Sequence, residues 1–123
     1  MNKWIKTLIG CVFVVILTAC SVPIRDVQTP VFEHSIAQIE RAIMEGGRDR
    51  KWIMKRIQPG VISANLINRE HKVEVRINYS ADGYQINYVS SQNMYEENGL
   101  IHKKYFGWVN NLDRSIQSRL RKS

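Results

Sequence analysis

Lys72–Tyr79 alternates without a fault: Val73, Val75, Ile77 and Tyr79 are apolar, and Lys72, Glu74, Arg76 and Asn78 between them are polar or charged. A period of two places successive side chains on opposite sides of an extended backbone, so the segment is a strand with one buried and one wet face. No helix tolerates this pattern. Whatever surrounds it must cover the first set of residues and leave the second in water. Ser80-Ala81-Asp82-Gly83 follows and carries an Asp-Gly step, a hairpin signal. Tyr84–Ser90 is then the return strand, with Tyr84, Ile86, Tyr88 and Ser90 on one side and Gln85, Asn87 and Val89 on the other. A tight hairpin pairs Ile77 with Ile86 and Val75 with Tyr88 on the inner face, and sets Arg76 opposite Asn87 on the outer face.

Outward from this hairpin, Val61–Ile67 predicts a strand with Ile62, Ala64 and Leu66 inward, joined to Lys72 by the polar loop Asn68-Arg69-Glu70-His71. Lys51–Ile57 predicts a further strand before the Pro59-Gly60 turn, but its alternation is poor and leaves its register open. Val31–Gly46 reads as a helix. Pro30 stands at its start, Glu33 in its first turn, Ile36, Ile39, Ala42 and Ile43 form a stripe, and Gly46-Gly47 stops it. Ile101–Leu120 reads as a second helix, with Ile101, Tyr105, Trp108, Leu112, Ile116 and Leu120 three or four apart. Gln92–Gly99 is a polar loop. Helix, four strands, helix, each with one apolar side, predicts an α+β two-layer sandwich: a four-stranded antiparallel meander with both helices on one face.

The amino terminus has a different logic. Lys3 and Lys6 precede the apolar run Leu8–Leu17, which falls short of the roughly 20 apolar residues a membrane span needs. Ser21, Pro23, Arg25 and Asp26 follow at once, so the run is an export signal rather than a transmembrane helix. Leu17-Thr18-Ala19-Cys20 resembles the lipobox of bacterial lipoprotein precursors. The resemblance implies cleavage between Ala19 and Cys20, diacylglyceryl transfer to Cys20, and usually a further acyl (palmitate-class) chain on its new amino group. Two or more acyl chains hold a protein stably on a bilayer, where one does not. Ser21 after the cysteine resembles the Gram-negative pattern released to the outer membrane. The domain plan is thus residues 1–19 as signal peptide, 20–30 as a lipidated tether in which Pro23 and Pro30 disfavour helix, and 31–123 as a single domain.

Residues 52–116 also resemble a family of small proteobacterial lipoproteins with no assigned activity. The residues concerned are Pro59-Gly60, His71, Tyr79, Tyr88, Ser91 and Ile101-His102 with Tyr105, Trp108 and Leu112. That resemblance implies fold and compartment, and no mechanism.

The formal charge of +7 falls to +5 once the two leader lysines are removed. In an exported protein this charge suits anionic lipid or envelope polymer better than nucleic acid, the alternative being an ordinary basic surface with no such partner. Cys11 leaves with the leader and Cys20 is acylated, so no thiol remains for a disulfide, a zinc site or a nucleophile. His34, His71 and His102 lack metal-site spacing. Only a fold that brings His71 and His102 into one cleft would support a small enzyme or metal centre. Asp82, Glu96, Glu97 and Asp113 form no acid–base pair and read as solvated charges. The reading is therefore a non-catalytic module without cofactor or metal, bound to the membrane through Cys20. Its partner is an envelope protein or the cell wall, and its expected binding face is Lys72, Glu74, Arg76, Asn78, Gln85 and Asn87. Binding of anionic lipid headgroups or envelope polymer is the alternative.

Overall fold

The computed structural model describes residues 21–123. The segment expected to be a signal peptide, the expected Ala19–Cys20 cleavage point and the expected lipidation site Cys20 lie outside the described residues. The elements are β1 (Ser21–Pro23), β2 (Val27–Pro30), α1 (Ile36–Asp49), β3 (Ile53–Gln58), β4 (Val61–Asn68), β5 (His71–Ser80), β6 (Gly83–Gln92), β7 (Leu100–His102) and α2 (Lys104–Arg121). The main sheet is antiparallel with order β2-β6-β5-β4-β3, and β1 pairs with β7 in a separate two-stranded ribbon.

The α+β class and both helices on one sheet face are as expected. The four-stranded meander is corrected to five strands plus a ribbon, because the supposed tether is built into the fold. Val27 and Thr29 turn inward opposite Ile86 and Tyr84, and Pro30 ends the strand opposite Gly83. A proline is tolerated at a sheet edge, where its missing N–H interrupts no central ladder. Val22 pairs with Ile101 in the ribbon, and the Ile24 amide donates to the Gly99 carbonyl at 2.8 Å.

β5 and β6 keep the predicted register: Ile77 faces Ile86, Val75 faces Tyr88, and Arg76 faces Asn87. A bulge then intervenes, so that Glu74 opposes Ser90 and Val73 opposes Ser91. Beyond Tyr88, Ser90 thus moves to the outer side, against expectation, because the extra residue shifts the alternation by one.

α1 begins five residues later than predicted. Ser35 caps it reciprocally with Gln38: the Gln38 amide donates to Ser35 Oγ at 3.1 Å, and the Ser35 amide donates to Gln38 Oε1 at 2.8 Å. This capping box satisfies two helix-terminal donors, which a proline cannot do. Glu33 lies outside the helix with φ +62°, and Ile36 is half exposed. The expected stop at Gly46-Gly47 is also corrected, since both glycines lie inside α1 and are buried. They serve close packing: a Cβ on Gly46 would lie 2.7 Å from the Ile116 backbone nitrogen, and one on Gly47 would run into the Met54 side chain.

α2 starts at Lys104, so Ile101 is a buried strand residue rather than the first of the helical stripe. The four-residue step from Ile101 to Tyr105 imitates a helical period across an element boundary. The buried face of α2 is Tyr105, Val109, Leu112, Ser115, Ile116 and Leu120, with Trp108 only partly buried at its margin. It packs with Ile39 and Ile43 of α1 over Ile62, Val75, Ile77 and Ile86 of the sheet, all inaccessible to solvent.

Asp113 is not the solvated charge the sequence suggests. Its Oδ1 accepts from Tyr84 at 2.5 Å and from Thr29 Oγ1 at 2.8 Å, and its Oδ2 accepts from Gln117 Nε2 at 2.9 Å. One carboxylate thereby ties β2 and β6 to α2. Burial first, and then this bond, push the Tyr84 hydroxyl well above its ordinary pKa, so it stays a donor. At the far end, Arg119 donates two parallel bonds of 2.7 Å to Asp49, joining the last turns of the two helices.

Candidate functional site

The six residues expected to form a binding face do share one face. Lys72, Glu74, Arg76 and Asn78 alternate along β5, and the register sets Asn78 beside Gln85 and Arg76 beside Asn87 on β6. β4 continues the rows with Ser63 opposite Arg76 and Asn65 opposite Glu74, and Lys55 of β3 lies opposite Ser63. Arg76, Lys72 and Asn78 are exposed, while Glu74, Gln85 and Asn87 are partly covered by their neighbours. Ser63 Oγ donates to Glu74 Oε2 at 3.2 Å and accepts from Asn65 Nδ2 at 3.4 Å, fixing the middle of the face. Among the described residues, Lys55, Lys72 and Arg76 share this face with the single carboxylate of Glu74, so the patch carries net positive charge. Exposed Ile53 and Ile67 border it at the β3–β4 end. Both helices pack on the opposite side of the sheet. The face is rigid, wet and cationic with apolar residues at one corner, a composition suited to a polar partner of negative sign.

His71 and His102 make different contacts. His71 Nδ1 lies 2.8 Å from the Asn93 carbonyl, and the ring leans on Trp108 with centroids 6.0 Å apart. His102 accepts the Lys104 amide on Nδ1 at 3.2 Å and stands beside Tyr95, with centroids 6.2 Å apart. His102 opens no helix, contrary to the sequence reading. It closes β7. Among the described residues, no three His, Cys, Asp or Glu side chains converge in a way that could hold a metal ion.

A second concave region escaped the sequence reading. The β4–β5 turn and the first two turns of α2 enclose a cleft of about 560 Å³, lined by Arg69, His71, Lys104, Trp108 and Asn111 among others. Among the described residues, Glu70 is the one carboxylate in its lining. Arg69 holds φ +58° at the tip of the turn, a left-handed conformation that Gly or Asn adopts at less cost. Asn93 Nδ2 donates to the Glu70 carbonyl at 2.7 Å and locks the turn to the β6–β7 loop. Lining residues 69 and 104 are far apart in sequence, and no local spacing announces the cleft.

Another cleft of about 550 Å³ lies along β2 and the β5–β6 hairpin, lined by Thr29, Tyr79, Tyr84 and Gln85 among others. Its lining is largely apolar, and the cations of the polar face do not reach it.

Compared with known families and with curated proteins, the chain matches no family model and no curated protein. Among the described residues, no helix is long and apolar enough to cross a membrane.

Proposed function

We propose that this chain is a lipoprotein precursor. In this reading its folded part, held by acyl chains on Cys20 at the periplasmic side of the cell envelope, most fittingly at the outer membrane, is a non-catalytic binding module. The observation that carries the proposal is the order of signals at the front of the chain: Lys3 and Lys6, a short apolar run, then Leu17-Thr18-Ala19-Cys20. Support for a binding role comes from the polar β4–β5–β6 face, which both helices leave free, and from its cationic patch. The partner is an envelope protein or cell-wall component that presents negative charge to Arg76, Lys72 and Lys55.

Site-specific photo-crosslinking in cells tests this directly. A crosslinker at Asn78 or Asn87 on the polar face should yield a discrete adduct with an envelope component. The same group at Arg114, exposed on α2 away from that face, should not. Absence of an adduct from both face positions, or an equal yield from Arg114, would contradict the assignment.

A further inference from the structure

We propose that the cleft between the β4–β5 turn and α2 receives the headgroup of an anionic phospholipid from the bilayer in which Cys20 is anchored. The inference rests on the lipoprotein reading given above and specifies how the folded part sits on its membrane.

The first argument is chain length. A ten-residue tether would let the domain hang tens of ångströms from the bilayer, at about 3.5 Å per residue. The fold removes that slack. Ser21 is already paired with His102 in the β1–β7 ribbon. Cys20 is one peptide bond away, and consecutive Cα atoms are about 3.8 Å apart. A bilayer that holds the acyl chains of Cys20 must therefore touch the part of the surface around His102.

The second argument is what that surface offers. Tyr95 is 75% exposed and stands against the His102 ring. An aromatic ring with a polar tip is suited to the headgroup layer. Lys103 and Lys104 are exposed immediately after His102. Glu96 and Glu97 follow Tyr95 in the same loop and lie outside the cleft lining.

The third argument is the cleft. Lys104 belongs both to the end that meets the bilayer and to the cleft wall, where it shares the lining with Arg69, His71, Trp108 and Asn111. Two cations and an amide against one carboxylate fit a phosphodiester, whose oxygens take charge-assisted hydrogen bonds. The Trp108 ring supplies an apolar wall for the glycerol portion. Arg69 occupies a left-handed position that a glycine would fill more easily, so this turn carries its charge against local backbone preference.

The experiment uses the acylated, full protein reconstituted into vesicles of phosphatidylcholine, with or without phosphatidylglycerol. Intact mass first establishes the acyl modification, and amide hydrogen exchange is then followed over residues 68–71 and 104–108. Exchange there should slow several-fold when phosphatidylglycerol is present, and the protection should fade at high salt. Arg69→Gly combined with Lys104→Gln should abolish the protection while leaving exchange in the α1–α2 core unchanged. The glycine relaxes the turn, so loss of protection in this variant is not loss of fold. Equal exchange in the two vesicle types, with Cys20 acylated, overturns this inference and leaves the anchoring proposal standing. Absence of acylation overturns both. The same protection from soluble glycerol 3-phosphate would assign the cleft to a free phosphate ester and overturn the bilayer source.

Discussion

Gly46 and Gly107 are both helical, and replacing each with alanine should move stability in opposite directions. Alanine in place of glycine favours a helix interior by about 0.8–1.0 kcal/mol. At Gly107 a new Cβ meets nothing within 4 Å, so most of that gain is retained. At Gly46 it would lie 2.7 Å from the backbone nitrogen of Ile116, 2.8 Å from its Cα and 2.9 Å from its Cγ1. Two of those atoms are main chain in the middle of α2, and they cannot swing aside. The helices would have to separate by several tenths of an ångström along the contact that buries Ile39, Ile43, Leu112 and Ile116. Overpacking of this kind costs about 1–3 kcal/mol. With two main-chain atoms inside 3.0 Å the cost lies in the upper part of that range, about 2–3 kcal/mol, so against the helix preference Gly46→Ala is expected to lose about 1–2 kcal/mol, and Gly107→Ala to gain about 0.5–1 kcal/mol. For a domain of this size these values lower Tm by roughly 5–10 °C and raise it by roughly 3–6 °C respectively. Thermal unfolding of residues 21–123, followed by far-UV circular dichroism, reads both. If Gly46→Ala melts at or above the parent, the close helix contact is not what keeps glycine there, and the reasoning fails.

Other substitutions test the polar connections. Asp113→Ala removes the shared acceptor of Tyr84, Thr29 and Gln117. It should cost about 2–3 kcal/mol, since bonds to a charged partner contribute about 1.5–3 kcal/mol each when solvent does not replace them. Hydrogen exchange should quicken first in β2, which this carboxylate holds to α2. Tyr105→Phe should be neutral or stabilising by up to about 1 kcal/mol, because the Tyr105 hydroxyl is buried without a partner among the described residues, whereas Tyr84→Phe should destabilise. Equal losses in the two urea midpoints would refute that contrast. The Arg119 bond holds the Asp49 carboxyl below its ordinary pKa, so its small stabilisation is present above the usual aspartate range and is lost as pH falls below that range and through the lowered folded-state value. Asp49→Asn should accordingly lower Tm slightly at neutral pH, and the difference should shrink as the pH is taken below the usual aspartate range. A gap that persists in acid would show that the pair contributes through packing.

The sequence disclosed those parts of the fold in which one local pattern dominates. The Lys72–Tyr79 alternation and the Asp82-Gly83 turn together determine the β5–β6 register, and with it the shared face of Arg76, Asn78, Gln85 and Asn87. Elsewhere, local signals competed. Pro30 suggested a helix start, but the Ser35–Gln38 capping box, equally visible in the sequence, sets it. Gly46-Gly47 has the composition of a helix stop, and only the packing of α1 on Ile116 and Met54 shows why glycine stands inside a helix. Val27-Gln28-Thr29 is too short to signal a strand by itself. Its place depends on a free edge at β6 and on Asp113, which is 84 residues from Thr29. The cleft has the same origin, since Arg69 and Lys104 meet only through the tertiary fold.

The central claim is that a bilayer holds this protein by its acylated Cys20, and intact-mass measurement of the protein from its native membranes tests it most directly. The account predicts a chain that begins at Cys20 and carries the mass of a diacylglyceryl group, with or without an added acyl chain. A chain that retains residues 1–19, or begins at Cys20 with an unmodified thiol, would contradict it.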